Sequence, residues 1–335
     1  MTENQSQLVE DVESARQNAE TEKAYAQALQ TERAYVARLY QRLDEARVET
    51  EDKLKKVRRG QSQGTHQNRS ERDAYATHYE DRLAQLNVVD QRLAFGRLDL
   101  DDESTRYVGR IGLATEDHER LLIDWRAPEA GTFYQATAFD RQGVRRRRHL
   151  MLEGREVAGI EDDVLDPALL EDASALHSEG ALLAALNRKR TGRMGDIVAT
   201  IQAEQDKIIR ADLAGVRVVQ GGPGTGKTAV ALHRAAYLLY TFRERLNNSG
   251  VLVVGPSSSF MWYIERVLPS LGETGVVMAS LATLYPGLRA VEEQNPEVAR
   301  LKGDLRMAKA IKRAVKDRQK VIERTQILTV DTTDL

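Results

Sequence analysis

The chain has 335 residues with 49 Lys or Arg against 51 Asp or Glu, a net charge of −2, 41% hydrophobic residues and only 5% aromatic ones. That length and apolar fraction suit two or three structural units, while the scarcity of aromatics beside 30% charged residues argues against an all-β protein. The absence of Cys excludes disulfides and zinc–thiolate sites, and none of the six His stands four residues from another, so a metallohydrolase has little support. The polar N-terminus lacks a signal-peptide core and no segment approaches the roughly 20 apolar residues of a membrane span, so a soluble cytoplasmic protein without a membrane partner is expected.

Residues 5–57 contain neither Pro nor Gly, and Val36, Leu39, Leu43, Ala46, Thr50 and Val57 keep a 3-4 spacing that draws one narrow stripe along a helix. Residues 58–70 carry two Gly and no apolar side chain, which predicts a loop. Ser70 and Asp73 form a capping-box pattern that opens a second helix, with Tyr75, Tyr79, Leu83, Leu86 and Leu93 along one side. Residues 1–96 are therefore expected to be an antiparallel helical hairpin, or coiled-coil arm. On seam width alone, oligomerisation, partner insertion and a solvated spacer all stay open for it.

The period changes near Phe95. Short β-type runs at YVGRIGL, RLLID, TFYQATAFD and RRRRHLML, divided by turn residues, predict a small, mostly antiparallel sheet over residues 97–165. The four Arg at 145–148 read best as a charged edge strand that resists aggregation, with nucleic-acid contact as the rarer use. Asp124, Trp125 and Arg126 read as packing: a buried indole and a local ion pair. Residues 166–212 return to a helical pattern broken at residues 191–196. Strand GVRVVQ, a glycine loop, helix TAVALHRAAYLLY, strand VLVVGP and a further helix then follow over residues 213–287, in the βαβα order of a parallel sheet with covering helices. On that second helix Trp262 and Tyr263 are expected to face the sheet, base stacking being the alternative. Residues 288–335 form a basic helical insertion: ten Lys or Arg lie between Arg300 and Arg324 against three acids, which makes phosphate contact and plain soluble surface equally good readings.

The glycine loop carries the chemistry. Gly221, Gly222, Pro223, Gly224, Thr225, Gly226, Lys227 and Thr228 spell G-x-x-x-x-G-K-[ST] between an apolar run and an apolar helix, the context that pattern requires. Glycines allow successive N–H groups to turn onto phosphates, and the helix N-terminus adds its positive dipole end. Lys227 is expected to bridge the β- and γ-phosphates of ATP, and the Thr228 hydroxyl to ligate Mg²⁺. Hydrolysis also needs an acid pair at a strand end. Between Ala229 and Leu335 no apolar strand ends in Asp-Glu; the nearest acidic cluster, Asp331 with Asp334, sits on no strand end.

FGRLD at residues 95–99, YVGRIGL at 107–113, LLIDWRAPEAGTFYQAT at 121–137, VRRRRH at 144–149 and VVQGGPGTGKTAVALHR at 218–234 together resemble the HelD family in its actinobacterial form, relatives of the UvrD and Rep helicases of superfamily 1. The resemblance implies an α/β fold: the helical arm, the β-rich region, and a truncated P-loop (RecA-like) parallel sheet domain with a helical insertion. It implies an ATPase that binds RNA polymerase and frees it from stalled or nucleic-acid-bound states, with DNA or other nucleic acid as a further partner. It also implies that Gln205 reads adenine, and that residues 255–272 fit a helicase motif whose strand-end residues face nucleic acid. Ala229 stands where the family often has Arg, so stacking of adenine by that residue is lost. The family continues through an acid-pair motif and a second motor domain, so the chain looks like an N-terminal part, expected to bind nucleotide weakly and not to turn it over. A superfamily 1 DNA helicase without a polymerase role and a non-enzymatic interaction module are the alternatives.

Overall fold

The computed structural model describes residues 3–59, 66–169, 197–246, 249–264, 267, 276–285, 287, 290–291 and 293–319. Most of the helical stretch expected at 166–196, and Asp331 and Asp334, lie outside them. The chain divides into two compact units, Met1–Leu281 and Ala282–Leu335.

In the first unit, α1 (Glu3–Arg59) and α2 (His66–Val88) form the hairpin. The helix opens at His66, ahead of Ser70, which lies inside α2. The stripe read from α1 is a real seam: Val36, Leu39, Leu43 and Thr50 are buried, joined by Leu54, which the spacing missed. Tyr75 on α2, by contrast, is exposed.

Six strands follow: β1 (Ala94–Leu100), β2 (Thr105–Gly109), β3 (Leu113–Ala114), β4 (Arg120–Asp124), β5 (Val144–Glu153) and β6 (Glu156–Val164). They are ordered β3-β4-β2-β1-β5-β6, with every pair antiparallel except β2–β4. Strand alternation sends neighbouring side chains to opposite faces. Tyr107 accordingly joins Leu39, Leu43, Leu86 and Ile160 on the arm side, whereas Val108 joins Trp125, Phe133, Val230 and Ile264 on the other. The sheet is thus sandwiched, with the arm on one face and the helix after the glycine loop on the other. Gly96 is required here, because a Cβ at that position would stand 2.1 Å from Phe133 Cε2.

Three expectations about the strands need correction. The run at residues 132–140 is not a strand: Pro128 opens a 3-10 turn that leads into α3 (Gly131–Gln135), which buries Phe133 and Tyr134 under the sheet. The Arg run at 145–148 is not on an edge, since β5 lies between β1 and β6. Its guanidiniums are matched by acids: Arg145 with Asp166, Arg146 with Asp99 and Asp162, Arg147 with Asp163, and Arg148 with Asp162 and Glu32. Lastly, GVRVVQ pairs with no strand among the described residues, and Val216 is 96% and Val218 85% exposed. An apolar β-type run predicts a strand only if a neighbour takes up its backbone groups, and hydrophobic patterning does not say which neighbour that is.

Before the glycine loop comes α4 (Ala203–Ile209), and past it α5 (Lys227–Thr241), the short α6 (Arg243–Leu246), β7 (Val251–Gly255), α7 (Ser258–Ile264) and β8 (Val276–Ser280), with β7 and β8 paired in parallel. On α7 Met261 and Ile264 turn into the core, leaving Trp262 62% and Tyr263 42% exposed, the reverse of their expected burial. The second unit contains α8 (Pro296–Lys302) and α9 (Leu305–Arg318), capped by the Asn295 and Asp304 carbonyl and carboxylate oxygens; their basic side chains are solvent-exposed. No helix among the described residues is long and apolar enough to cross a membrane.

Candidate nucleotide loop and its supports

Residues 221–228 leave the exposed run, turn at Pro223 and enter α5. Gly224 at φ +77° and Gly226 at φ +83° occupy the left-handed region that β-carbons disfavour, which is what the glycine spacing provides. Gly226 is the N-cap of a 15-residue helix and no side chain caps it. The first-turn N–H groups of α5 therefore point out of the helix end as a set of donors for an anion. The loop braces itself: the Thr225 hydroxyl donates to the Gly222 carbonyl at 2.9 Å, and Lys227 Nζ reaches the carbonyls of Gly221 and Gly222 at 2.9 and 2.6 Å. Lys227 thus lies across the mouth of the loop. Thr228, the second residue of α5, is half-buried. Glycine turn, uncapped helix end and lysine together fit a phosphate chain, and a hydroxyl stands beside them where a Mg²⁺ ligand is wanted.

Gln205 meets this loop across 20 residues of sequence. Its Oε1 accepts from the Gln202 N–H at 3.2 Å, fixing the side chain on the first turn of α4, and its Nε2 lies 3.5 Å from the Thr225 carbonyl. A Cβ on Gly226 would come within 3.2 Å of that same nitrogen. The structure therefore brings Gln205 together with residues 221–228.

Sequence reasoning missed the side chains that hold loop and sheet together. Arg210, at the end of α4, donates to the carbonyls of Trp125 at 2.6 Å, Ala127 at 3.1 Å and Arg126 at 3.3 Å, and pairs with Asp206 at 2.9 Å. Asp206 is wholly buried and also accepts from Gln135 of α3 at 2.6 Å; burial pushes its carboxyl pKa up despite both partners. Trp125 is buried as expected, edge-on to His233 of α5 at 5.6 Å, and the Arg126–Asp124 pair closes at 2.6 Å. His233 Nδ1 donates to the Ala229 carbonyl at 2.7 Å while Nε2 accepts from the Ile197 N–H at 3.2 Å, which assigns a neutral ring. Arg234 adds bonds to the carbonyls of Ile208, Ile209, Ala211 and Asp212. The DWRAP turn is thereby clamped both to α4, which carries Gln205, and to α5, which begins with Lys227. The one signal in the sequence was the joint presence of DWRAP and the glycine loop, which named the two ends but not the Arg and His between them.

Among the described residues no cluster of His, Asp and Glu is arranged to hold a metal ion. Residues 29–178 match the family model described as DNA helicase IV HelD, N-terminal domain. The match takes in more than half of α1, all of α2 and the whole six-stranded sheet, and it ends before the glycine loop. A search of curated proteins finds no match.

Proposed function

We propose, from the match of residues 29–178 to the HelD N-terminal domain, that the chain is an ATP-binding factor that engages RNA polymerase and helps release it from nucleic acid or stalled complexes. The observation that carries this reading is the sandwich: one sheet has the arm on one face and the helix of the phosphate loop on the other. A displacement at one face has only the thickness of a packed sheet to cross before it reaches the other.

In this reading residues 221–228 belong to a P-loop motor domain of which β7 and β8 are the parallel strands described here. The N–H groups of the loop and Lys227 hold the phosphates, Thr228 supplies a hydroxyl to Mg²⁺, and Gln205 reads the adenine edge from the first turn of α4. ATP supplies the free energy for release. The protein side chains contribute orientation and charge neutralisation, with Arg210 and His233 fixing the loop against the sheet. The exposed basic side chains of α8 and α9 suit contact with nucleic-acid phosphates.

Equilibrium binding of a fluorescent Mg–ATP analogue tests the nucleotide half. Lys227→Ala is expected to weaken binding at least tenfold, and Gln205→Ala to reduce the preference for ATP over GTP while leaving pyrophosphate competition intact. Equal affinity in the Lys227→Ala chain would remove the loop from the account. Copurification with RNA polymerase tests the partner; recovery of DNA-stimulated ATPase without polymerase would favour the plain helicase reading instead.

A further inference from the structure

A cavity of about 1060 Å³ lies at the base of the arm, walled by α1 and α2 on one side and by the C-terminal end of α5, with α6, on the other. It is a different place from the phosphate loop, which sits at the opposite, N-terminal end of α5. Its charges do not balance. Glu49 is held by Arg42 at 2.7 Å and Asp124 by Arg126 at 2.6 Å. The remaining charged lining residues are Asp81 with Lys53, Arg82 and Arg243, and none of these three cations forms an ion pair among the described residues.

Arg82 is the telling member. It is half-buried, and among the described residues its only hydrogen-bond partner is Gln85 Oε1, at 3.5 Å. Burial lowers its guanidinium pKa below the ordinary value; Asp124 opposes the shift, while Arg126 and Arg243 deepen it. Three guanidiniums from α2, the DWRAP turn and α6 therefore converge around one carboxylate that is already engaged. A partly desolvated charge without an ion-pair partner is costly, and an Arg fork matches phosphate oxygens bidentately. The walls add aromatic surface: Tyr240 stacks under Arg126 at 4.7 Å, and Tyr79 of α2 lines the opposite side. The volume is that of a small-molecule site, and its two helical walls suit a short ligand better than a continuous strand.

We propose that this cavity is a second phosphate-recognising site, taking a free nucleotide whose phosphates lie between Arg82 and Arg243. The inference stands independently of polymerase binding. Because the walls are the arm and the far end of the phosphate-loop helix, an occupant there would fix the arm's angle to α5.

The test uses the whole chain, with pyrophosphate and ADP as probes and the thermal unfolding midpoint as readout, since a ligand of the folded state raises that midpoint. In a Lys227→Ala background, which disables the phosphate loop, both probes are expected still to raise the midpoint saturably. Adding Arg243→Gln, an exposed position whose change spares the core, is expected to weaken this response about tenfold, the loss of one charge-assisted contact. Arg82→Gln together with Arg243→Gln is expected to abolish it. The proposal is overturned if Lys227→Ala alone removes every pyrophosphate response, or if the Arg243→Gln chain responds like its parent. It is overturned equally if a short single-stranded oligonucleotide without terminal phosphates raises the midpoint through Arg243 and ADP does not, which would assign the phosphates to a polynucleotide.

Discussion

Glu32, on the arm, accepts from Arg97 Nη1 at 2.7 Å, Arg148 Nη1 at 2.8 Å and the Tyr107 hydroxyl at 2.8 Å, and is fully buried. Its carboxylate is the anchor of a network that runs through β1, β2, β5 and β6. Removing one partner of such a cluster strands the others, so Glu32→Ala should cost about 3–5 kcal/mol in urea unfolding and Glu32→Gln less, because the amide keeps an acceptor. A smaller cost from Ala than from Gln would contradict the network. His149 gives a pH-dependent counterpart. Burial, assisted by Arg147, pushes its pKa down to about 4. The unfolded ring titrates near 6.5, so the unfolded chain binds the extra proton between those values. The stability from a neutral His149 is complete above pH 6.5 and is lost as pH falls towards 4, by at most about 3 kcal/mol. Unfolding midpoints measured across that window should fall further in the parent chain than in His149→Gln, and equal falls would contradict the assignment.

At the scale of elements, the hairpin and the mixed composition of the fold were legible because a 3-4 stripe and a polar glycine loop are local signals. The place of β5 was not: an Arg-rich strand looks like a solvated edge until the acids at 99, 162, 163 and 166 and at Glu32, as many as 116 residues away, are brought beside it. The left-handed turn of the glycine loop was readable from its glycines, yet the run before it misled, because apolar alternation reports a tendency to pair and contains no partner. The clamp of Arg210, Asp206 and His233 carried no motif, since each acts on backbone carbonyls or amides that any residue supplies. A prediction belongs to this loop. Gly226→Ala places a β-carbon at φ +83° and against Gln205, at a backbone cost of about 1–2 kcal/mol. Nucleotide affinity should fall at least tenfold while the far-UV spectrum is retained; unchanged affinity would mean that the left-handed turn is dispensable.

For the molecule as a whole, the arm's proximal part is inseparable from the core. Val36, Leu39, Tyr40 and Leu43 are buried with the sheet residues Tyr107, Leu121 and Ile160, so deleting the entire hairpin would expose the core rather than test the arm. The distal part is separable. Val57 and Ala76 line one small cavity from opposite helices, so excising residues 58–75 and joining the two with a short glycine linker shortens the arm and leaves its base intact. The affinity of this shortened chain for RNA polymerase, beside that of the parent, is the most direct measurement of whether the arm is the polymerase-engaging element. Saturable binding by the parent is expected, with at least a tenfold loss on excision and the unfolding midpoint preserved. Equal affinity in the two chains would contradict it.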